Sequence, residues 1–584
     1  MFIRTTKRRN RDGSTVEYYQ LAHNVRDPET RRPVARILHN FGRTDALDRD
    51  ALVRLARSIA RVCGLELRDP TGESHPDALD HRDPWPQELK LLGSRALGCV
   101  LVIEALWERL GIGPILRKIV AEERSEVPYE RALFAMTANR LCEPQSKLGV
   151  WDRWLPLVYL PSCGELKLDH MYEAMDLLHR HCARVEERVF FHTADLLNLA
   201  VDIVFYDSTT ASFSIDFEDE DEIETSAGVS DPPSEEPPAR AAKEGALRKR
   251  GRDKKGTWNP QIIVALAVTR DGIPVRSWVF PGNTPDVTTV ETVKKDLRGW
   301  KLNRCLFVGD AGMDSEGNRK LLALGGGRYL LAVRSGSVKE VKEQVLTRPG
   351  RYKKVAENLY AKEVEVGQGE LRRRYIVCFN PREAKRQKLH REGILQELRE
   401  ELDRHRDWDA KAKWAIELLA SARTRKYLSV TEAGILYVDL LKAKEAEKHD
   451  GKWVLITNDD TLKPQDAAVG YKALLVIEQC FRALKSTQIH LTPMNHWLPR
   501  RIEAHVKICV LALLIQRVAE RESGKTWGWL RYVLTQLQAT QFETPTHQFF
   551  RRNEPPQEAA SVLKSLKISL PNPVLDIQPT APKP

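Results

Sequence analysis

Long apolar runs, paired cysteines and nucleotide-binding fingerprints are all missing from this sequence. The longest apolar run, Ile508–Ile515, has eight residues. Crossing a bilayer takes about twenty, so a membrane protein is not expected. The nine cysteines are scattered, odd in number and without a CxxC pair. That argues against a disulfide framework or a zinc ribbon and suits free thiols in a reducing compartment. Neither GxxxxGK[ST] nor GxGxxG occurs, which disfavours an ATPase or a dehydrogenase. The first thirteen residues hold five basic side chains and no apolar core of a secretory signal.

What is present is a large, basic, globular composition. The 584 residues suggest about three to five domains or large insertions. A hydrophobic content of 42% is enough for cores, and 30% charged residues keep the surface solvated. The net charge is +11, and residues 1–44 carry +6 of it, from ten Lys/Arg against four acids. Tyr18, Tyr19 and Phe41 are interleaved with those charges. The alternating stretches VEYYQLAHNV and PVARILHNFG predict a β-hairpin, and the surrounding basic residues predict contact with nucleic-acid phosphates.

Along the chain, the hairpin and a helix near ALDRDALVRLARSIARV make a basic N-terminal module, 1–66. A Pro/Asp-rich linker leads to a region of helical period, 88–200. From 201 the period changes to buried strands: VDIVFYD, ASFSID, PQIIVALAVTRDG, IPVRSWVFPGN, RCLFVGD and GRYLLAVR, with one helix over DVTTVETVKKDLRGW. Inside 201–334, residues 216–255 pass from an acidic run through prolines to RKRGRDKK and read as a disordered charged insertion. Residues 335–450 read as an inserted domain of strands and a charged helix, Glu383–Arg406. Residues 451–520 return to the core with the strand KWVLITND and two long helices, Pro464–Lys485 and Arg500–Ala519. The last stretch, 521–584, reads as C-terminal helices and a disordered proline-rich tail. Apolar strands without clean alternation indicate an α/β core covered on both faces.

Three carboxylates stand out. Asp207 and Asp310 each end an apolar strand, where α/β folds gather their chemistry. Glu478 falls, on a wheel drawn from Tyr471, within an apolar stripe of a helix that reads as buried. A buried carboxylate needs a cation, a metal or a role. Arg482 and Lys485 share its face, so a simple Glu478–Arg482 pair is the competing reading. Two strand-end Asp and a helix Glu are hard oxygen donors of the kind that bind Mg²⁺ or Mn²⁺. Two such ions align the attacking and leaving oxygens of a phosphoryl transfer.

The segments FYDSTTASFSID, NPQIIVALAVTRDGIPVRSWVFPGNTPDVTTV, LFVGDAGMDSEGN and YKALLVIEQCFRALKS resemble the DDE transposases of bacterial insertion sequences. The group is the one whose last acid lies in a Y-(2)-R-(3)-E-(6)-K signature. Tyr471, Glu478 and Lys485 fall in register with it, while the signature Arg position is Leu474; Arg482 could supply that charge from the same face. The segment HWLPRRIEAHVKICVLALLIQR resembles the stretch that comes after the signature in this group, and the N-terminal MFIRTTKRRNRDGSTVEYYQL fits the group more loosely.

The resemblance implies a ribonuclease-H-like catalytic core with a long insertion before the last catalytic helix, preceded by the basic module and the helical region. It implies Asp207, Asp310 and Glu478 as catalytic metal ligands for Mg²⁺ (or Mn²⁺). Tyr471, Arg482 and Lys485 are then DNA contacts near the cut, and Arg4, Lys7, Arg8 and Arg9 belong to the end-binding module. Strand cleavage by water would be followed by attack of the freed 3′-hydroxyl on target DNA. The partners are double-stranded DNA, both element ends and target, and a second copy in a homodimeric synaptic complex. The setting is cytoplasmic, on the bacterial nucleoid. Asn283 reads as a turn residue and Asp314 as the cap of a following helix. Trp408, Trp414 and Trp453 read as core packing, with stacking on a flipped base as the alternative. A catalytically inactive DNA-binding relic and a structure-specific nuclease on the same fold stay open beside an active transposase.

Overall fold

The structure is a computed structural model that describes residues 2–9, 15–26, 33–43, 56, 59, 89–215, 217–219, 245–253, 256–334, 338–405 and 409–580. The stretch 46–62 apart from Ala56 and Ile59, Trp408 and most of 216–255, on which a helix, an aromatic contact and a disordered insertion were expected, lie outside the described residues; the end of 216–255 is not disordered, since Lys249–Arg252 is a strand paired in the main sheet. The chain divides into two compact units, Met1–Gln87 and Glu88–Pro584.

The first unit contains three antiparallel strands, β1 (Phe2–Arg9), β2 (Thr15–Arg26) and β3 (Pro33–Arg43), in the order β1-β2-β3. The expected hairpin is β2–β3, and the basic N-terminal arm adds a strand to it. Val16 and Ala22 are buried. On β1 the alternation of a strand puts Lys7 and Arg9 on one face, both exposed. Lys7 reaches Glu17 across the β1–β2 ladder at 2.6 Å.

In the second unit the strands are β4 (Lys90–Ala96), β5 (Ile203–Ser212), β6 (Lys249–Arg252), β7 (Trp258–Val268), β8 (Pro274–Pro281), β9 (Leu306–Gly309), β10 (Arg328–Val333), β11 (Lys353–Ala356), β12 (Leu359–Val366), β13 (Arg373–Phe379), β14 (Leu428–Val430), β15 (Leu436–Val438), β16 (Lys452–Thr457), β17 (Gln538–Glu543), β18 (His547–Arg552) and β19 (Val574–Pro579). Ten of them form one sheet, ordered β11-β12-β13-β16-β10-β9-β5-β7-β6, with β8 also on β7. β5, β9 and β10 run parallel, and β7 and β8 run antiparallel beside them. β7 is buried from Pro260 to its end, as its unbroken IIVALAV run predicts. One face of the sheet lies on a core that includes Phe205, Val308, Ile477 and Cys480, and the other on one with Tyr206, Phe307 and Val290.

Helices Gly98–Arg109, Ile112–Glu122, Tyr129–Cys142 and Leu168–Leu196 make the expected helical region. Pro499–Ser523 packs among them, buried around nearly its whole circumference. A buried ionic knot ties this layer to the sheet. Lys507 Nζ donates to Glu186 at 2.9 Å and to the Ser277 carbonyl of β8 at 2.7 Å, while the Ser277 hydroxyl donates to Glu186 at 2.6 Å.

Several expectations are corrected. The strand that begins in VDIVFYD continues through Asp207 to Ser212, so Asp207 stands in the middle of β5 and not at its end. Residues 353–379 are not part of a separate module: β11–β13 extend the main sheet, because β13 pairs with β16 along its length. Only 381–447 stands apart, with a small core of its own around Leu398, Tyr427 and Leu436. The helix expected over 464–485 breaks at Ala473–Leu474 into Pro464–Lys472 and Leu475–Arg482. The C-terminal stretch, expected to be helices and a disordered tail, includes three strands. They join β4 in a sheet ordered β19-β18-β17-β4, in which the hydroxyls of Ser94 and Thr540, 446 residues apart, meet at 2.8 Å.

Candidate catalytic site

The parallel ladder between β5 and β9 pairs Phe205 with Val308. Asp207 lies two residues beyond that pair on β5, and Asp310 directly follows the last residue of β9, so both acids stand past the end of the parallel ladder. Alternation along β5 puts Asp207 on the face of the sheet that carries Phe205. Helix Leu475–Arg482 lies across that face, against β5 and β7. Its buried side is Ile477, Cys480 and Phe481, and the Cys480 thiol contacts the Gly272 carbonyl in the β7–β8 turn at 3.5 Å.

Glu478 is exposed, not buried as the wheel predicted, and so is Leu475 at 52%. The break at Ala473–Leu474 resets the helical phase, so a wheel drawn from Tyr471 does not carry through to Glu478. The Glu478–Arg482 pair that competed as an explanation is absent among the described residues: both side chains are exposed and no ion pair joins them. Lys485 is half-buried in the turn Ala483–Thr487 that ends this helix.

One side chain feels all three acids. Burial first, and then the charges of Asp310, Asp207 and Glu478, push the Tyr471 phenol up to about 12. Tyr471 therefore keeps its proton at any working pH, as a neutral donor among carboxylates. Backbone groups orient the two Asp. The Ser208 amide donates to Asp207 Oδ1 at 2.8 Å, and the Gly312 amide to Asp310 Oδ1 at 2.9 Å. A side chain at Gly312 would meet Asp310 Oδ1 at 3.1 Å, so the close approach uses the absence of a Cβ.

A fourth carboxylate, Asp286, was not singled out in the sequence. It opens helix Asp286–Gly299, accepts a hydrogen bond from the Ser208 hydroxyl, and flanks Gly312 together with Asp310. It also separates two clefts. One, of about 360 Å³, is lined by Arg250, Arg252, Trp258, Gln261 and Asn283; the other, of about 490 Å³, by Gly312, Asp314 and Arg334. Asn283 is exposed in the turn after β8, where the Thr284 amide bonds the Pro281 carbonyl. Asp314 does not cap the next helix. It pairs with Arg319 at 2.7 Å, and Ser315 accepts the capping bond from the Asn318 amide.

Among the described residues, no group of three or more His, Cys, Asp or Glu side chains is disposed to hold a metal ion as it stands. The donors nevertheless match a hard divalent cation in type: one carboxylate on β5, one just past the end of the neighbouring β9, and a third, exposed, on the helix that lies against β5. No described helix is long and apolar enough to cross a membrane.

The family models give the class, a phosphoryl-transfer enzyme acting on DNA. Residues 235–515 match the transposase DDE domain, a span that includes Asp310 and Glu478 and begins after Asp207, and residues 3–70 match the N-terminal domain of IS1634 family transposases. The chain is a DDE transposase of an insertion sequence. Among solved structures it is similar to the piggyBac transposase in a synaptic complex with hairpin DNA, at 9% identity and a TM-score of 0.32 over 75% of this chain and 78% of that one. It is also similar to the Mos1 transposase in a paired-end complex with the left transposon end, at 13% identity and a TM-score of 0.13 over 36% and 55%. Both likenesses are too distant to place any residue. No curated protein matches the chain.

Proposed function

We propose that Asp207, Asp310 and Glu478 are the catalytic acids of a ribonuclease-H-like core, and that the protein binds insertion-sequence ends, cleaves a strand and transfers its 3′-hydroxyl to target DNA. The observation that carries this reading is the placement of Asp207 on β5, Asp310 just past neighbouring β9 and Glu478 on the helix packed against β5, with the charges of all three acting on the Tyr471 phenol. The order β8-β7-β5-β9-β10, antiparallel then parallel, supports the core assignment. The stretch 381–447, placed between β13 and β16 and before the Glu478 helix, supports an insertion ahead of the last catalytic acid.

Asp207, Asp310 and Glu478 would hold Mg²⁺ or Mn²⁺, which supplies charge neutralisation and alignment at the scissile phosphate. The chain's own groups do the rest. Backbone amides of Ser208 and Gly312 fix two carboxylates, Tyr471 donates within their field, and exposed Arg482 with Lys485 contacts DNA phosphates beside the cut. Arg4, Lys7, Arg8 and Arg9 lie along β1 and supply backbone contacts to the element end. Cutting two ends together calls for two copies, so we read the working form as a homodimer on the cytoplasmic nucleoid.

The test is a labelled element end incubated with the protein and Mg²⁺. Nicking that leaves a free 3′-hydroxyl is expected. Asp207→Asn and Glu478→Gln should each lower it by roughly 10²-fold or more. Because Glu478 is exposed, Glu478→Gln should leave unfolding free energy within about 0.5 kcal/mol of the parent. Normal nicking by either variant would overturn the assignment.

A further inference from the structure

Far from the acids along the sequence, two cations are buried with no counter-ion among the described residues. Arg140, at the end of helix Tyr129–Cys142, is 4% exposed, and Lys147 is 3% exposed. The Arg140 guanidinium donates to the carbonyls of His490, at 3.1 Å, and Gln145, and to Asn139 Oδ1 at 3.3 Å; its Nε has no partner among the described residues. Lys147 Nζ lies 3.1 Å from His505 Nδ1, and His505 Nε2 lies 3.1 Å from the Leu491 carbonyl. A carbonyl only accepts, so Nε2 carries the proton and Nδ1 accepts from Lys147. Glu143, the nearest acid in sequence, accepts from the Gln145 side-chain amide and bonds neither cation.

These groups enclose a cavity of about 100 Å³, lined also by Asn495 and His496. His490 and Asn495 are exposed and form its mouth. The space suits a few waters or one tetrahedral anion. A guanidinium does not lose its charge by deprotonation, so burial leaves it in need of negative charge.

We propose that this cavity binds one oxyanion of the phosphate class, held by Arg140 and Lys147, and supplied either as a free anion or as one phosphate of bound DNA. The proton balance is set by its walls. Burial and the neighbouring Arg140 hold the Lys147 ammonium down to about 7. Facing it are Arg140, His505, His496 and the Cys509 thiol, which burial pushes up and keeps neutral. An anion stabilises the protonated ammonium, so the occupied site holds a proton that the empty site has lost above pH 7. Affinity is therefore greatest below pH 7 and falls as pH rises past it.

The experiment titrates inorganic phosphate into the full chain by calorimetry, at ionic strength held constant with chloride, for the parent and Lys147→Met. One saturable site is expected. Its affinity should fall about tenfold from pH 7.5 to 8.5, the one-proton limit, and at least tenfold in Lys147→Met. Absence of saturable binding by the parent, or parent-like affinity in Lys147→Met, would overturn the proposal. Salt dependence of DNA binding then separates the sources. A log–log slope shallower by about 0.9 in Lys147→Met identifies a DNA phosphate, and an unchanged slope with phosphate binding lost identifies a free anion. Should Lys147→Met fail to fold, thermal unfolding of the parent decides: phosphate raises its midpoint at matched ionic strength, and no rise overturns the site.

Discussion

Asp286 and Glu478 show how differently single residues declare themselves. Asp207 and Asp310 drew attention in the sequence because each comes after an apolar run, VDIVFY and RCLFVG. Asp286 follows a proline at the start of a helix, where an Asp is routinely a cap. Nothing in the sequence says that the Ser208 hydroxyl reaches it. We expect Asp286→Asn to fold normally, to slow end cleavage by about 10- to 100-fold and to raise the Mg²⁺ concentration for half-maximal rate, as loss of an outer-shell partner does; a metal titration of the cleavage rate measures both. His496 governs a different property. Burial and the nearby Lys147, Arg501 and Arg140 hold its imidazole down to about 3. The unfolded chain therefore takes up the proton first, and stability is lost as pH falls from 6.5 toward 3. At pH 5.5 that is about 1.4 kcal/mol. His496→Gln should flatten the fall in unfolding midpoint between pH 7 and 5.5 seen by calorimetry.

Among secondary elements, the strands of the main sheet were legible because continuous apolar runs leave few alternatives to burial on both faces. The break within 464–485 was not, since Ala473 and Leu474 are good helix formers and the turn between the two helices is set by how each meets the sheet. The knot of Glu186, Lys507 and Ser277 was also hidden, because its members come from two helices and a strand. Its Glu and Lys side chains are only 9% and 5% exposed. Truncating one partner strands the other in a dry contact, so Glu186→Ala should cost about 3–5 kcal/mol in denaturant unfolding. The exposed Arg423–Glu397 pair in the inserted module is the contrast, and Arg423→Ala there should change stability by less than about 1 kcal/mol.

Taken whole, the molecule separates into a basic N-terminal unit and a catalytic unit, a division legible from the +6 charge of residues 1–44 and from the Pro/Asp-rich linker. Removal of residues 1–87 should leave the remainder folded, by circular dichroism, and abolish preference for the element end over unrelated duplex in a binding assay; retained preference would move end recognition elsewhere. The union of β4 with β17 was the least legible feature, because neither strand contains a hint of a partner so distant along the chain. It also bears on how the protein is made. At about 5–20 residues per second, β4, with Leu91 and Leu92 exposed, leaves the ribosome tens of seconds before β17 does. Any message or polypeptide cut short before β17 yields a protein whose β4 edge stays open, and only a completed translation product closes it.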